Sequence, residues 1–230
     1  AETDLPNVAD FDLSTLRTGV MAGAPCPLEL MHKVIDKLNM SEITIMYGQT
    51  ETSPVNHMTD IDAPAEKRCG TVGRVGPYQE IKIIDEAGRV VPIGDKGELC
   101  CRGYSVMRGY WNDEERTRET IDQAGWLHSG DLAEMDAEGY VQIVGRIKDM
   151  IIRGGENIYP REVEEFLYTH PDIQEVQVFG IPDEKYGETV CAWVQLRQGA
   201  ELDEAGVQDY CRDQITHFKV PRQIRFVDTF

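Results

Sequence analysis

The sequence predicts a mixed α/β and α+β protein, and three observations support this prediction. From residue 17 to residue 54, an apolar strand, a loop, an amphipathic helix, a second strand and a second loop follow one another. From about residue 70 to residue 145, short apolar runs alternate with tight turns. Beyond residue 148, helical and strand patterns alternate again. Strand–helix alternation indicates an α/β layer, whereas short strands joined by turns indicate an antiparallel sheet.

The first segment places two loops after strands. Residues 17–22 and 43–47 are apolar runs, and the helix between them has apolar residues at helical spacing. The loops GAPCP (23–27) and GQTETSP (48–54) follow the two strands. Because ligands of α/β sheets bind at the carboxyl ends of strands, both loops are candidates for a binding site.

The middle segment predicts a small β-barrel-like subdomain over about residues 70–145. Residues 80–85 and 97–102 are expected to pair as antiparallel strands, and residues 132–135 and 140–144 flank the turn DAEG. Asn112 is the expected N-cap of the charged helix that follows it.

The last segment predicts a compact α+β domain. Residues 150–152 and 157–159 flank RGGE as a tight hairpin, in which glycine supplies any positive φ. Pro160 begins a helix, and strands are expected near residues 174–180, 189–196 and 223–227, with a helix near 203–215. The predicted domains are therefore residues 1–147 and 148–230, joined by a hinge.

The charge balance and the cysteines limit the classes of partner and compartment. The chain has 23 Lys and Arg residues and 41 Asp and Glu residues, so its net charge is 23 − 41 = −18. This negative charge disfavours binding to nucleic acid or to an anionic membrane. The six cysteines contain no CxxC pair, so reduced thiols in the cytoplasm are expected. No apolar run approaches membrane-spanning length and no signal peptide is recognised. The opening residues resemble a chain entered midway.

Several polar residues at strand ends suggest a nucleotide–metal site. Asp131 follows a glycine at an expected strand start, where its carboxylate can accept the two hydrogen bonds that a sugar diol donates. Arg146 offers a planar donor fork for hydroxyls or a phosphate. From spacing alone, an ion pair between Asp131 and Arg146 is an equally good interpretation. Glu51 could hold Mg²⁺ and Thr50 could donate to a phosphate oxygen.

Five segments, taken in order, resemble the core motifs of a known superfamily. They are YGQTE (47–51), GELCCRG (97–103), WLHSGDL (126–132), GRIKDMIIRGGENIYPREVE (145–164) and HFKVP (217–221). Together they resemble the adenylate-forming superfamily of acyl-CoA synthetases, carrier-protein-loading adenylation domains and beetle luciferases. The sequence around these motifs is most similar to the medium-chain fatty acyl-CoA synthetases. The resemblance covers essentially the whole chain.

The resemblance implies a fold and a reaction. The chain is expected to contain the C-terminal part of the large AMP-binding domain, followed by a small α+β lid domain. Such enzymes join a fatty acid to ATP with Mg²⁺, release pyrophosphate, and pass the acyl group from the acyl-adenylate to CoA. A homodimer is compatible with this class.

The resemblance also implies a role for each matching residue. Asp131 and Arg146 are expected to contact the ribose, Thr50 the α-phosphate and Glu51 the Mg²⁺. Lys148 matches the hinge about which the lid rotates. The remaining positions border the adenine or the pantetheine route of CoA: Gly23, Ala24, Pro25, Tyr47 (stacking), Gly48 and Ile143 at the adenine side, and Gly154 and Gly155 at the pantetheine route. For Tyr47 and Thr50, strand-end packing and turn capping are the alternatives.

Two parts of the superfamily pattern do not occur within the 230 residues. They are the upstream phosphate loop with its lysine and the C-terminal proline–Gly–Lys motif. The chain alone is therefore expected not to form an acyl-adenylate. Two other functions stay open, a carrier-protein-loading adenylation domain and a non-catalytic nucleotide-binding module. YGQTE in place of YGPTE, together with RGGENIYP, argues against the first of these.

Overall fold

The computed structural model describes residues 8–23 and 26–230. The chain divides into two compact units, residues 1–143 and residues 144–230. The sequence places its domain boundary between residues 147 and 148. No described helix has both the length and the apolar character that crossing a bilayer requires.

The first unit begins with a four-stranded sheet in the order β1-β2-β3-β4. Its first two strands are parallel, whereas the later pairs are antiparallel. The carboxyl ends of β1 and β2 therefore lie at the same edge, as the sequence predicts. The elements are β1 (Thr18–Met21), α1 (Leu28–Leu38), β2 (Glu42–Tyr47), β3 (His57–Met58), α2 (Ala65–Gly70) and β4 (Arg74–Val75).

Helix α1 packs on this sheet through the apolar face that its sequence spacing predicts. Met31 is fully buried and Val34 is 6% exposed, and both belong to one core cluster with Ile43 and Ile45 of β2. Burying a side chain such as Met31 contributes about 1.5–3 kcal/mol. The helix ends at Leu38, and the following residue, Asn39, has a φ of 58° in the left-handed region typical of helix ends.

A second sheet has the order β5-β6-β7-β8, and the unit boundary after residue 143 falls within β8. This sheet confirms the antiparallel strands that the sequence predicts, although β7 begins at Leu127, five residues before the expected 132. The expected N-cap is wrong: Asp113, not Asn112, accepts a hydrogen bond from the Arg116 amide at 3.0 Å. The elements are β5 (Gln79–Ile84), β6 (Gly97–Gly103), α3 (Glu114–Thr120), β7 (Leu127–Met135) and β8 (Val141–Arg146).

The second unit is built around a five-stranded sheet in the order β10-β9-β12-β11, with β13 parallel to β12. Helix α4 has proline at its first turn, as the sequence predicts, because that position needs no N–H donor. The elements are β9 (Ile151–Arg153), β10 (Glu156–Ile158), α4 (Pro160–Leu167), β11 (Ile173–Asp183), β12 (Gly187–Leu196), α5 (Glu204–Cys211) and β13 (Gln223–Phe226).

Candidate functional site

A buried carboxylate connects two of the sequence segments that the motifs single out. Asp131, on β7, is only 6% exposed. Its Oδ2 accepts hydrogen bonds from the Tyr47 hydroxyl at 2.6 Å and from Gln49 Nε2 at 3.0 Å. Gln49 Nε2 also donates to the Ser129 carbonyl oxygen at 2.8 Å. One carboxylate and one amide therefore hold the end of β2 against β7.

The place of Asp131 within its strand differs from the prediction. The sequence puts it at a strand start, but it lies inside β7. Gly130 before it has a φ of +71°, a conformation that favours glycine. This residue interrupts the regular extended backbone next to Asp131.

Tyr47 remains a neutral hydroxyl donor in this network. Burial, reinforced by the nearby Asp131 carboxylate, raises the pKa of Tyr47 well above its usual range. Its ring meets the His57 ring edge-on, with 5.7 Å between centroids. The sequence singles out the Tyr47 ring but misses the contact of its hydroxyl with Asp131.

The loop after β2 contains Thr50 and Glu51 in a single 3₁₀ turn, Thr50–Thr52. The Thr52 hydroxyl closes this turn through the backbone of Gln49. It accepts from the Gln49 backbone N–H at 2.9 Å and donates to the Gln49 backbone carbonyl oxygen at 2.9 Å. The turn-capping role considered for Thr50 therefore belongs to Thr52. Thr50 itself is exposed at the start of the turn.

Glu51 is held as an anion by a second tyrosine. The Tyr110 hydroxyl donates to Glu51 Oε1 at 2.6 Å. This hydrogen bond is the largest cause of a lowered pKa of Glu51. An ionised carboxylate is the ligand that Mg²⁺ prefers, so the residue fits the predicted metal role. Sequence reasoning missed Tyr110, which lies 59 residues away along the chain.

Replacing Tyr110 with phenylalanine is expected to raise the pKa of Glu51 towards its ordinary value, because the main stabilising donor to the carboxylate is lost. Carboxyl-carbon NMR shifts of Glu51, followed against pH, measure the change. Tyr104→Phe, at an exposed tyrosine, serves as the control and leaves the titration unchanged. An unchanged Glu51 titration in Tyr110→Phe would contradict the assignment.

His57, which packs on Tyr47, is fully buried. Its Nδ1 lies 2.9 Å from Asn56 Oδ1, and its Nε2 has no hydrogen-bond partner among the described residues. Burial lowers the pKa of His57 to about 4, from an ordinary 6.5.

This shift predicts a pH dependence of stability. Because the pKa of His57 is lower in the folded than in the unfolded chain, the unfolded chain binds the proton first as pH falls. The contribution of neutral His57 to the free energy of unfolding is therefore complete above pH 6.5 and declines as pH falls to about 4. Urea unfolding of the chain between pH 7 and pH 4 measures this decline. The His57→Gln variant is expected to have a shallower decline than the unmodified chain, and an identical slope would refute the prediction.

Four predicted adenine-side positions follow β1 in the sequence or lie on β8. Gly23, two residues after the end of β1, has a φ of +87°. Ala24 and Pro25 lie outside the described residues. Ile143, on β8, is partly buried against the core cluster of the first unit.

Four predicted site residues lie in the second unit. Arg146 and Lys148 are exposed, and Lys148 lies in a single 3₁₀ turn, Ile147–Asp149. Gly154 and Gly155 form the turn between β9 and β10 with φ of +61° and +89°. This confirms the predicted glycine hairpin.

Comparisons with known proteins agree with the motif pattern. Residues 2–111 match the model of the AMP-binding enzyme family, and residues 162–230 match its C-terminal domain. A Bacillus subtilis (strain 168) protein, YngI, whose name places it among the acyl-CoA synthetases, is 50% identical over the whole chain. The mitochondrial medium-chain acyl-CoA ligase ACSF2 of Bos taurus is 47% identical over 98% of the chain.

Solved structures also match the fold of this chain. The amide bond synthetase McbA of Marinactinospora thermotolerans (K483A mutant) superposes with a TM-score of 0.90 at 34% identity, over 99% of this chain and 46% of that one. The chain spans 42% of the Bacillus protein and 37% of the bovine one. By its motifs, its two family matches and its fold, the chain belongs to the AMP-binding enzyme family of the adenylate-forming superfamily.

Proposed function

We propose that this chain supplies the ribose-binding carboxylate, the hinge and the lid of an AMP-forming acid–thiol ligase. The reaction joins a fatty acid to CoA, consumes ATP, and releases AMP and pyrophosphate. The observation that supports this most directly is the Asp131 carboxylate fixed by Tyr47 and Gln49. A carboxylate with a fixed orientation can select a pair of sugar hydroxyls, because both must donate in a defined geometry.

In this proposal the nucleotide lies between the loops after β1 and β2. Tyr47 stacks on the adenine while its hydroxyl orients Asp131. The Asp131 carboxylate accepts from the ribose hydroxyls, and the Arg146 guanidinium donates to the ribose. The adenine is bordered by the remaining predicted positions, namely Gly23, Ala24, Pro25, Gly48 and Ile143. Binding of AMP or ATP to the 230-residue chain, measured by titration calorimetry, tests this half of the proposal directly.

The proposed phosphate and metal contacts come from the turn Thr50–Thr52. Thr50 donates to the α-phosphate, and Glu51 holds Mg²⁺ as an ionised carboxylate kept so by Tyr110. When bound, the metal neutralises negative charge on the phosphates as pyrophosphate leaves. Magnesium-dependent nucleotide affinity that disappears in Glu51→Gln supports this role, and an unchanged dependence argues against it.

In this proposal the second unit serves the thioester-forming step of the reaction. Adenylation needs groups that stabilise phosphate charge, whereas thiolysis needs a route for a thiol to the same carbonyl carbon. A lid that turns about Lys148 can present both faces in succession. Gly154 and Gly155 border the route of the CoA pantetheine in this proposal.

A hinge at Lys148 predicts unequal effects on the two half-reactions. Lys148→Pro in the whole ligase is expected to slow thioester formation more than adenylation, because proline fixes φ at the pivot. Lys148→Ala, which keeps backbone freedom, is the matched control and affects the ratio of the two rates less. Equal losses in both half-reactions would count against Lys148 as the pivot.

We also propose which acid and which acceptor the ligase uses, and whether the 230-residue chain is active alone. We expect medium-chain acids, CoA rather than a phosphopantetheinyl carrier protein as acceptor, and no adenylation by the 230-residue chain alone. Pyrophosphate release from ATP and octanoate tests the last point, and robust turnover by this chain would contradict it. Comparing CoA with a carrier protein in the whole ligase tests the acceptor.

The cellular setting is also proposed. No disulfide joins any of the six cysteines, which supports a reducing compartment such as the cytoplasm. The bovine relative is named as mitochondrial. Cell fractionation distinguishes these compartments. A homodimer is compatible with this family, and analytical ultracentrifugation measures the assembly.

A further inference from the structure

A cysteine, a histidine and a carboxylate converge on one face of the second sheet in the first unit. The ligand atoms of Glu98, Cys100 and His128 all lie within 4.8 Å of one another. Glu98 and Cys100 are two residues apart on β6, and His128 of β7 is the register partner of Cys100. Side chains at such positions share one face of a sheet.

The distances within this group suit a single metal ion. Cys100 Sγ lies 3.7 Å from His128 Nδ1, and that nitrogen lies 2.9 Å from Glu98 Oε2. Zinc binds sulfur at about 2.3 Å, and imidazole nitrogen and carboxylate oxygen at about 2.0–2.2 Å. Two donors can share an ion only if their separation is below the sum of their bond lengths, about 4.3 Å for S and N and about 4.1 Å for N and O. Both observed separations meet this condition.

The same geometry argues against a nucleophilic role for the cysteine. Both neighbours approach the same nitrogen, His128 Nδ1. In a catalytic triad, one ring nitrogen of the histidine accepts the proton of the nucleophile and the other ring nitrogen donates to the carboxylate. Cys100 is also fully buried, so a substrate cannot reach its sulfur.

An ion can reach the group from the solvent side. The side chains of His128 and Glu98 are 31% and 19% exposed, whereas Cys100 lies beneath them. Lys82, the strand partner of Cys100 on β5, has its ammonium 4.5 Å from the centre of the Trp126 ring. The Asp122 carboxylate interacts electrostatically with both His128 and Lys82, which reduces the repulsion that Lys82 exerts on a cation.

We propose that Glu98, Cys100 and His128 form a binding site for a thiophilic divalent cation of the zinc class. Thiolate, imidazole and carboxylate are the ligands that zinc takes in proteins, and a water completes the tetrahedron. Burial raises the pKa of the Cys100 thiol to about 12. The ion therefore displaces the thiol proton when it binds.

The ion ties β6 to β7 beside the candidate nucleotide site. Glu98 Oε1 accepts the Gly130 amide at 3.1 Å while Oε2 faces His128. Glu98 can thus hold the ion with one oxygen and the residue before Asp131 with the other. Because the ion binds only the folded arrangement of three ligands, it stabilises the first unit.

Cadmium titration of the chelator-treated 230-residue chain tests the proposal. We expect one Cd²⁺ per chain, an ultraviolet thiolate-to-cadmium charge-transfer band, and a higher Tm with either Cd²⁺ or Zn²⁺. Cys100→Ala is expected to lose the band and about a hundredfold or more in affinity. Cys101→Ala is the matched control, since Cys101 is the adjacent buried thiol on the opposite face, and it keeps both.

The outcomes separate this site from adventitious thiol binding. A band that persists in Cys100→Ala, or that disappears equally in Cys101→Ala, overturns the proposal, and so does the absence of saturable binding to the unmodified chain. If Cys100→Ala does not fold, His128→Asn replaces it, because this partly exposed position tolerates a change and the amide still donates to Glu98. Undiminished cadmium affinity in His128→Asn also overturns the proposal.

Discussion

Replacing Asp131 with asparagine is expected to lower the affinity of the site for AMP by about a hundredfold, because a charged hydrogen-bond acceptor is lost. The variant is expected to keep its fold. The asparagine carbonyl oxygen can still accept from Tyr47 and Gln49, which now bond to Oδ2. The amide group then occupies the place of the other carboxylate oxygen and offers donors to ribose hydroxyls that must themselves donate. Titration calorimetry with AMP measures the loss, and circular dichroism verifies the fold.

Tyr47→Phe is the matched control for this prediction. It keeps the ring that is proposed to stack on adenine and deletes only the hydroxyl that orients Asp131. One neutral-donor hydrogen bond contributes about 0.5–1.5 kcal/mol, so a loss of about tenfold or less is expected. AMP affinity that is unchanged in Asp131→Asn, or lower in Tyr47→Phe than in Asp131→Asn, would contradict the ribose role.

The elements that could be predicted from the sequence are those specified by local patterns. The apolar spacing of α1 predicts both the helix and its buried face, because Met31 and Val34 recur at the helical period. The Gly154–Gly155 turn is also local, since both residues have positive φ and a short strand lies on each side of them. Each of these features depends on residues within a few positions of one another.

The contacts that complete the candidate site could not be predicted in this way. Gln49 bonds to Asp131 across 82 residues of sequence, and Tyr110 bonds to Glu51 across 59. Neither partner is indicated by periodicity, because the contact arises only when separate elements pack together. For Gln49 a signal was present: it lies inside the YGQTE motif, and an amide can donate to a buried carboxylate.

The start of β7 was misplaced for a related reason. Residues 127–131, LHSGD, lack the apolar alternation of a half-buried strand. They are extended because Leu127 and His128 pair with Cys101 and Cys100 of β6. Pairing with a partner strand overrode the weak local preference, as strand propensity allows.

Replacing Gly48 with alanine is expected to destabilise the first unit by about 3 kcal/mol or more, at the upper end of what single substitutions cost. An added Cβ would lie 2.0 Å from the Pro54 carbonyl oxygen and 2.8 Å from Val55 Cα. These are backbone atoms, so no side-chain rotation relieves the overlap, and the loop after β2 must move away from the strand. Urea unfolding of the variant measures the loss.

Gly70→Ala is the matched control, because Gly70 ends α2 in the same unit and an added Cβ meets nothing within 4 Å. It is expected to be neutral or to stabilise slightly, since alanine is the better helix former. Gly48 lies between Tyr47 and Gln49, so a shifted loop also removes both donors to Asp131. Gly48→Ala is therefore expected to lose AMP affinity even at temperatures where it stays folded. An unfolding midpoint equal to that of Gly70→Ala would show that the loop absorbs the methyl group without strain.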